Sequence, residues 1–256
     1  MTEHIKIGKQ DGVLEITFAR PDKKNAFTNA MFRAACEALN AAQTDKETRV
    51  VLFAAEGNAF TAGNDLGDFL AVSEGKGEEP QAGAFIEALG RAEKPIVAAV
   101  PGIAVGVGTT MLLHSDLVFV ADNAKLAAPF VNLALVPEAG SSLLMPARIG
   151  YVRAFAMFAL GETISGAEAV SLGIANKMLP PDEVLPAARL AAKTLAQKPN
   201  GSMIATKKLM RDAESLLAWM DKENVLFAQQ LKSAEAREAF CAFAERRAPD
   251  FSKLSS

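Results

Sequence analysis

The chain has 256 residues, half of them apolar, and 27 Lys and Arg stand against 30 Asp and Glu for a formal charge of −3. That length admits one large domain or two ordinary ones, and the apolar half supplies ample buried core. A mildly acidic chain lacks the clustered positive surface that polyanion binding needs, which argues against nucleic acid as a partner. The two cysteines, Cys36 and Cys241, lie in helical apolar patterns without CxxC or His spacing. Neither a disulfide framework nor a zinc site is indicated, and both are expected to be buried thiols. Only His4 and His114 are available for a His-based metal site or a Ser-His-Asp triad. The first belongs to a frayed terminus. The second follows Met111-Leu112-Leu113 and reads as a hydrogen-bonded core residue. No basic start with an apolar run marks a signal peptide, and no apolar stretch reaches membrane-spanning length, so a soluble, cytoplasmic protein without a membrane partner is expected. Ser252-Lys253-Leu254 spells a peroxisomal address, but Ser255-Ser256 follow it and the address is read only at the terminus.

In chain order, Ile5 to Lys9 and Val13 to Phe18 alternate around Gln10-Asp11-Gly12, and Asp-Gly supplies the positive φ angles of a tight hairpin. Asn29 to Gln43 carries apolar residues at helical spacing, Val50 to Ala54 reads as a buried strand, and Pro80 to Arg91 as a helix. Residues 71–83, with Gly75, Gly77 and Pro80, read as a mobile loop of the kind that sets pocket depth. Ile96 to Val100 is the next strand, followed by a Gly-rich turn, a helix from Val107 to His114, and a strand from Leu117 to Ala121. Strands joined through helices predict a mainly parallel α/β core covered on both faces. After about Ser165 the character changes. Ser165-Gly166-Ala167-Glu168 looks like a capped helix start, Asn176 to Leu179 a short strand, and Pro181 to Gln197 and Gly201 to Arg247 read as helical. The apolar positions of that tail, among them Leu216, Met220, Phe227 and Phe243, exceed what one solvated helix pair shows, so it is expected to pack on the core or on another subunit. No internal sequence repeat and no low-complexity segment is visible.

Three segments carry chemistry. Glu138 stands alone in the apolar run Phe130 to Ser142. Desolvation there raises a carboxyl pKa toward the range where the group takes and returns a proton near neutrality. The ordinary alternative is a carboxylate capping the helix that opens at Gly140-Ser141. Lys94 to Gly108 is a strand running through a glycine turn into a helix, where unpaired N–H groups face outward and Gly106 and Gly108 let an oxygen approach the peptide of Val107. It lacks the third glycine of a dinucleotide fingerprint and the Gly-Lys-Ser/Thr of a nucleotide loop. Glu56 to Leu66 follows the Val50 strand and again leaves a backbone donor unobstructed. Together the two turns are able to build an oxyanion hole.

At this point the chain resembles the enoyl-CoA hydratase/isomerase, or crotonase, superfamily. The resemblance runs through Arg20-Pro21-Asp22-Lys23-Lys24-Asn25-Ala26-Phe27, Ala59 to Leu66, Lys94 to Val100, Ser165 to Ala169 and Leu172 to Ala175. It implies an α/β fold, a spiral of ββα units, with a core over residues 1–195 and a helical C-terminal region over 196–256 for packing and trimerisation. It implies acyl-CoA thioesters as substrates, no separate cofactor or metal, and a homotrimer or dimer of trimers. The N–H groups of Asn64 and Val107 would polarise the thioester carbonyl. Lys23 and Lys24 would meet CoA phosphates, with backbone contacts from Ala26 and Phe27 at the adenine end, unless they form only a solvated charged turn. Ala62, Asp65, Leu66 and Phe130 complete the implied binding set. Asp65 also reads as a brace for the Gly63-Asn64 turn, and Phe130 as acyl-pocket wall or plain core. Phe251 and Lys253 are placed by the same resemblance near a neighbour's CoA. Family hydratases carry two Glu residues where this chain has Thr110 and Phe130, neither of which activates water. Isomerases that move a double bond from C3 to C2 instead share Asn64-Asp65-Leu66 and Pro137-Glu138-Ala139-Gly140-Ser141-Ser142. The expected activity is therefore Δ3,Δ2-enoyl-CoA isomerisation with Glu138 as the base. The alternatives are a hydratase or aryl-CoA ring or epoxide isomerase of the same family, or a non-catalytic acyl-CoA-binding scaffold.

Overall fold

The computed structural model describes residues 2–65, 67, 68 and 80–253; Leu66 and the stretch 71–79 of the expected pocket loop lie outside the described residues. Two strands open the chain as an antiparallel hairpin, β1 (Ile5–Gln10) and β2 (Val13–Phe18). The turn between them has Asp11 at φ +52° and Gly12 at φ +78°, the left-handed pair that matches strand twist. Helix α1 (Asn29–Thr44) starts at Thr28, whose side chain accepts from the Met31 N–H.

From there strands come in pairs: β3 (Val50–Ala55) with β4 (Ala59–Thr61), β5 (Ile96–Val100) with β6 (Ile103–Val105), and β7 (Leu117–Ala121) with β8 (Lys125–Ala127). The first strand of each pair enters a six-stranded sheet, completed by β10 (Lys177–Leu179), in the order β1-β2-β3-β5-β7-β10. The second enters a smaller sheet, β4-β6-β8-β9, closed by β9 (Ile164–Ser165). Neighbours in the two series pair in parallel, and helices return the chain between pairs. The repeat lies in this topology rather than in the residues, so no sequence periodicity discloses it.

Helix α2 (Ala82–Arg91) packs on α1. The helix expected from Val107 to His114 is one α-turn, α3 (Val107–Thr110), that tightens into a 3-10 segment over Met111–His114. Next come α4 (Ser141–Ile149), α5 (Tyr151–Phe155, extended by a π turn to Leu160) and α6 (Gly166–Ser171). The start of α6 is the capping box anticipated at Ser165 and Glu168. Helix α7 (Pro181–Ala196) covers the larger sheet. The tail, helical as expected, is divided into three helices: α8 (Asn200–Met210), α9 (Ala213–Leu231) and α10 (Ala234–Ala244), the last two begun by side-chain caps at Asp212 and Ser233. Among the described residues no helix is long and apolar enough to cross a membrane.

The core between the large sheet and α1–α2 is an aromatic cluster in which Phe27 meets Phe18 at 4.7 Å and Phe32 at 4.6 Å between ring centroids. Such pairs contribute about 0.5–1.5 kcal/mol each beyond area burial. Phe27 thereby anchors a loop that reaches the site. The two cysteines are half-buried rather than buried: each lies at the edge of its helix's apolar stripe, and Cys36 Sγ bonds the Ala84 carbonyl at 3.4 Å.

Candidate active site

A cavity of about 350 Å³ opens where the glycine turns after β4 and β6 come together. Asn64 and Gly106 line one side, Phe130, Leu133 and Leu135 another, and Phe227 of α9 with Ala239 and Phe243 of α10 close it. The C-terminal helices thus wall the site of their own chain. Phe130 is both pocket wall and core residue, since it is 6 % exposed and packs on Phe158.

The orientation of Asn64 follows from its bridge to Phe27. The Phe27 N–H donates to the Gly63 carbonyl and the Asp65 N–H donates to the Phe27 carbonyl, both at 2.8 Å. In a parallel bridge the N–H of the intervening residue points to the opposite edge, so the Asn64 N–H is turned away from Phe27, and Asn64 is one of the residues that line the cavity. Gly63 is required here: at φ +89° a Cβ would lie 2.8 Å from the Val105 carbonyl oxygen. Val107 is the first residue of α3, so its N–H has no acceptor within the helix.

Glu138 is 5 % exposed. Its Oε1 accepts from the Thr110 hydroxyl at 2.5 Å, while Oε2 is buried with no hydrogen-bond partner among the described residues. Since Thr110 is one helical turn beyond Val107, this bond seats the carboxylate beside the first turn of α3. Neither Glu138 nor Val107 contributes to the cavity lining; their neighbours Leu135 and Gly106 do. Burial pushes the Glu138 pKa up to about 8, against the Thr110 bond, which lowers it, and with help from the negative charge of Glu223.

Glu223, on α9, is a carboxylate that the sequence did not disclose. It is 4 % exposed and accepts from the Gly140 N–H at 2.5 Å, from the Ser142 N–H at 2.9 Å and from the Ser142 hydroxyl. It therefore caps the start of α4, the role that was the ordinary alternative for Glu138. Burial raises its pKa, opposed by these hydrogen bonds. His114 is buried as expected, with Nε2 bonded to the Ala139 carbonyl at 2.7 Å and Nδ1 facing Arg211.

Lys23 and Lys24 are exposed on the 3-10 turn Pro21–Lys23 and its cap. The Ala26 and Phe27 carbonyls already accept from Arg20 and from Asp65, keeping one lone pair each for a ligand. Asp65 accepts from Arg20 at 2.8 Å and from the Gly67 N–H at 3.0 Å, so it braces the turn; Arg20 was missed as its partner. Ala62 lines the cavity. Phe251 is 39 % exposed. Among the described residues no three His, Cys, Asp or Glu side chains gather as a metal-ligand group.

A two-sheet spiral of strand pairs joined by returning helices, with a helical C-terminal region, is the fold of a known enzyme family. The family model described as enoyl-CoA hydratase/isomerase matches residues 8–254, and the chain belongs to this family, the crotonase superfamily. Its fold matches a crystal structure of an enoyl-CoA hydratase/isomerase from Pseudoalteromonas atlantica T6c with a TM-score of 0.91 at 37 % identity, covering 97 % of this chain and 100 % of that one. Among named relatives, enoyl-CoA delta isomerase 2 of Rattus norvegicus is 33 % identical over 95 % of this chain, which spans 64 % of the rat protein's length. The 1,2-epoxyphenylacetyl-CoA isomerase of Escherichia coli K12 is 30 % identical over 98 % of this chain and 99 % of its own.

Proposed function

We propose that the protein is an acyl-CoA isomerase that moves a double bond from C3 to C2 of an enoyl-CoA, with Glu138 as the one proton carrier. The observation that carries this reading is the Glu138 carboxyl itself: buried, bonded through one oxygen to Thr110, with the other oxygen unpartnered among the described residues and the pKa pushed up to about 8. The proton at C2 of a thioester is weakly acidic, so negative charge reaching the carbonyl oxygen must be stabilised as the proton leaves. The N–H groups of Asn64 and Val107 serve that oxygen, each worth about 3–4 kcal/mol of barrier by analogy with other oxyanion holes. Glu138 takes the C2 proton and returns it at C4 of the dienolate, and a carboxyl with a pKa near neutrality does both. Water addition needs a second acid or base. Thr110, which the hydratase pattern replaces by Glu, is here the donor that holds the base.

Phe130, Phe227 and Phe243 accommodate the acyl chain, and Lys23, Lys24, Ala26, Phe27, Ala62, Asp65 and Leu66 belong to the CoA side of the site. The division into a core over 1–195 and a helical region over 196–256 is part of the same reading, as are a cytoplasmic location, independence of cofactor or metal, and a homotrimer or dimer of trimers. The exposed Tyr151, Val152, Phe155 and Leu160 of α5 and its π turn form an apolar ridge suited to subunit contact. The deciding experiment is a turnover panel of 3-enoyl-CoA, 2-enoyl-CoA and aryl epoxy-CoA esters with the wild type and Glu138→Gln. Isomerisation of 3-enoyl esters lost in Glu138→Gln supports the reading. Efficient hydration of 2-enoyl-CoA that survives the substitution defeats it.

A further inference from the structure

We propose that His114 and Glu223 are positioning residues that grip the peptide between Ala139 and Gly140 from its two sides and thereby aim the Glu138 carboxylate. This rests on Glu138 being the base. The carbonyl of that peptide accepts from His114 Nε2 at 2.7 Å, and its N–H donates to Glu223 Oε2 at 2.5 Å. One rigid plane is therefore held by a residue of the Met111–His114 segment and by a residue of α9. The backbone on either side needs holding, because Ala139 at φ +59° and Gly140 at φ +69° are successive left-handed residues directly after Glu138. An alanine adopts that conformation only where its surroundings impose it.

Both grips have their chemistry fixed by their other partners. A guanidinium only donates, so Arg211 beside Nδ1 makes that nitrogen an acceptor and leaves the proton on Nε2, aimed at the carbonyl. Burial first, then the Arg211 charge, pushes the His114 pKa down to about 3, with Lys207 and Arg148 acting in the same direction from farther out and the Ala139 bond opposing them. The carbonyl grip therefore persists at every working pH. On the other side both Glu223 oxygens accept, Oε2 from Gly140 and Oε1 from Ser142, whose hydroxyl also accepts from Trp219 Nε1 at 2.9 Å. Among the described residues, besides burial, Thr110 and Glu223 act on the Glu138 carboxyl, and the Ser142 and Gly140 hydrogen bonds act on that of Glu223. Glu223 thus acts on the base twice, through the peptide and through its charge. Gly140 also lets α9 come this close, since a Cβ there would lie 2.6 Å from Leu216 Cδ1.

The test uses the full chain with Glu223→Gln, His114→Leu and His114→Gln, each assayed for kcat and KM on a 3-enoyl-CoA across pH. A misaimed base costs on the order of 10- to 100-fold in kcat. The expected result is that loss for Glu223→Gln and His114→Leu, with KM within about twofold and with partial recovery of kcat in His114→Gln, which keeps an N–H for the carbonyl. Glu223→Gln should also shift the rising limb of the kcat profile to lower pH, because a negative neighbour is gone. Unchanged kcat per folded molecule and an unmoved limb, with only melting temperature lowered, overturn the proposal. If a variant does not fold, wild-type protein labelled with 13Cδ-glutamate decides: Glu138 and Glu223 must each show a second inflection at the other's titration, and two independent single inflections overturn the proposal. Activity retained in Glu138→Gln would instead remove the base assignment, an outcome the labelled titration does not share.

Discussion

The Thr110 hydroxyl donates to Glu138 at 2.5 Å and thereby divides one carboxyl into a held oxygen and one that no described residue bonds. Buried and held by a neutral donor, the group keeps its proton until the pH approaches 8. Since the proposed base must be ionised to act, kcat/KM in the wild type is expected to rise with pH through about 8. Thr110→Val deletes the bond that favours the charged form. Hydrogen bonds to charged groups contribute about 1.5–3 kcal/mol, which is roughly one to two pH units on the rising limb, shifted upward. A pH–rate profile of the two proteins checks both the position and the sign.

Stability carries the same signature in the opposite sense. The folded pKa of Glu138 is raised from the ordinary 4.5 to about 8, so the native state holds a proton that the unfolded chain releases. That contribution is complete below about pH 4.5 and is lost as pH rises through 8. Glu138→Gln carries no such group. Its melting temperature is expected to equal the wild type's near pH 4 and to exceed it increasingly up to pH 8, after which the gap is constant. Thermal melts at several pH values read this without any substrate.

Phe243 is more than half exposed yet forms part of the cavity wall, so truncating it should spare the fold. Phe243→Ala is expected to lower kcat/KM for acyl chains long enough to touch α10 by about 10- to 100-fold, the worth of lost apolar contact, and to leave the shortest substrates unchanged. A chain-length series of 3-enoyl-CoA esters shows whether the loss appears at one length and persists beyond it.

Gly140→Ala meets two obstacles, a φ of +69° and a Cβ only 2.6 Å from Leu216 Cδ1. Overpacking typically costs about 1–3 kcal/mol, and a left-handed residue adds about 1 kcal/mol or more. Chemical denaturation should show a destabilisation in this range, whereas Gly83→Ala, with open space around it, should be neutral or stabilising.

The elements were legible where local periodicity writes them: the Asp11-Gly12 hairpin, the strands Val50–Ala55 and Ile96–Val100, and the capped start at Ser165 all stand where the pattern put them. Glu138 was legible because a charge in an apolar run is conspicuous. Its surroundings were not. Thr110 read as a missing acid and proves to be a donor, and Glu223 lay in an amphipathic helix where one more acidic residue looks like a solvated face. The cap weighed for Glu138 exists but comes from Glu223, 83 residues beyond Gly140, a separation at which no spacing rule operates. Arg20 escaped notice for the same reason, its partner Asp65 being 45 residues away.

Placing one grip on α9 has a consequence for synthesis. A chain made from its N-terminus completes both sheets, both glycine turns and the proposed proton carrier well before residue 223 is added, so a nascent or prematurely ended polypeptide owns every proposed reacting group and still lacks the partner proposed to fix their bearing. Competence should therefore switch on late and abruptly, when α9 docks, and not accumulate in proportion to the length already translated.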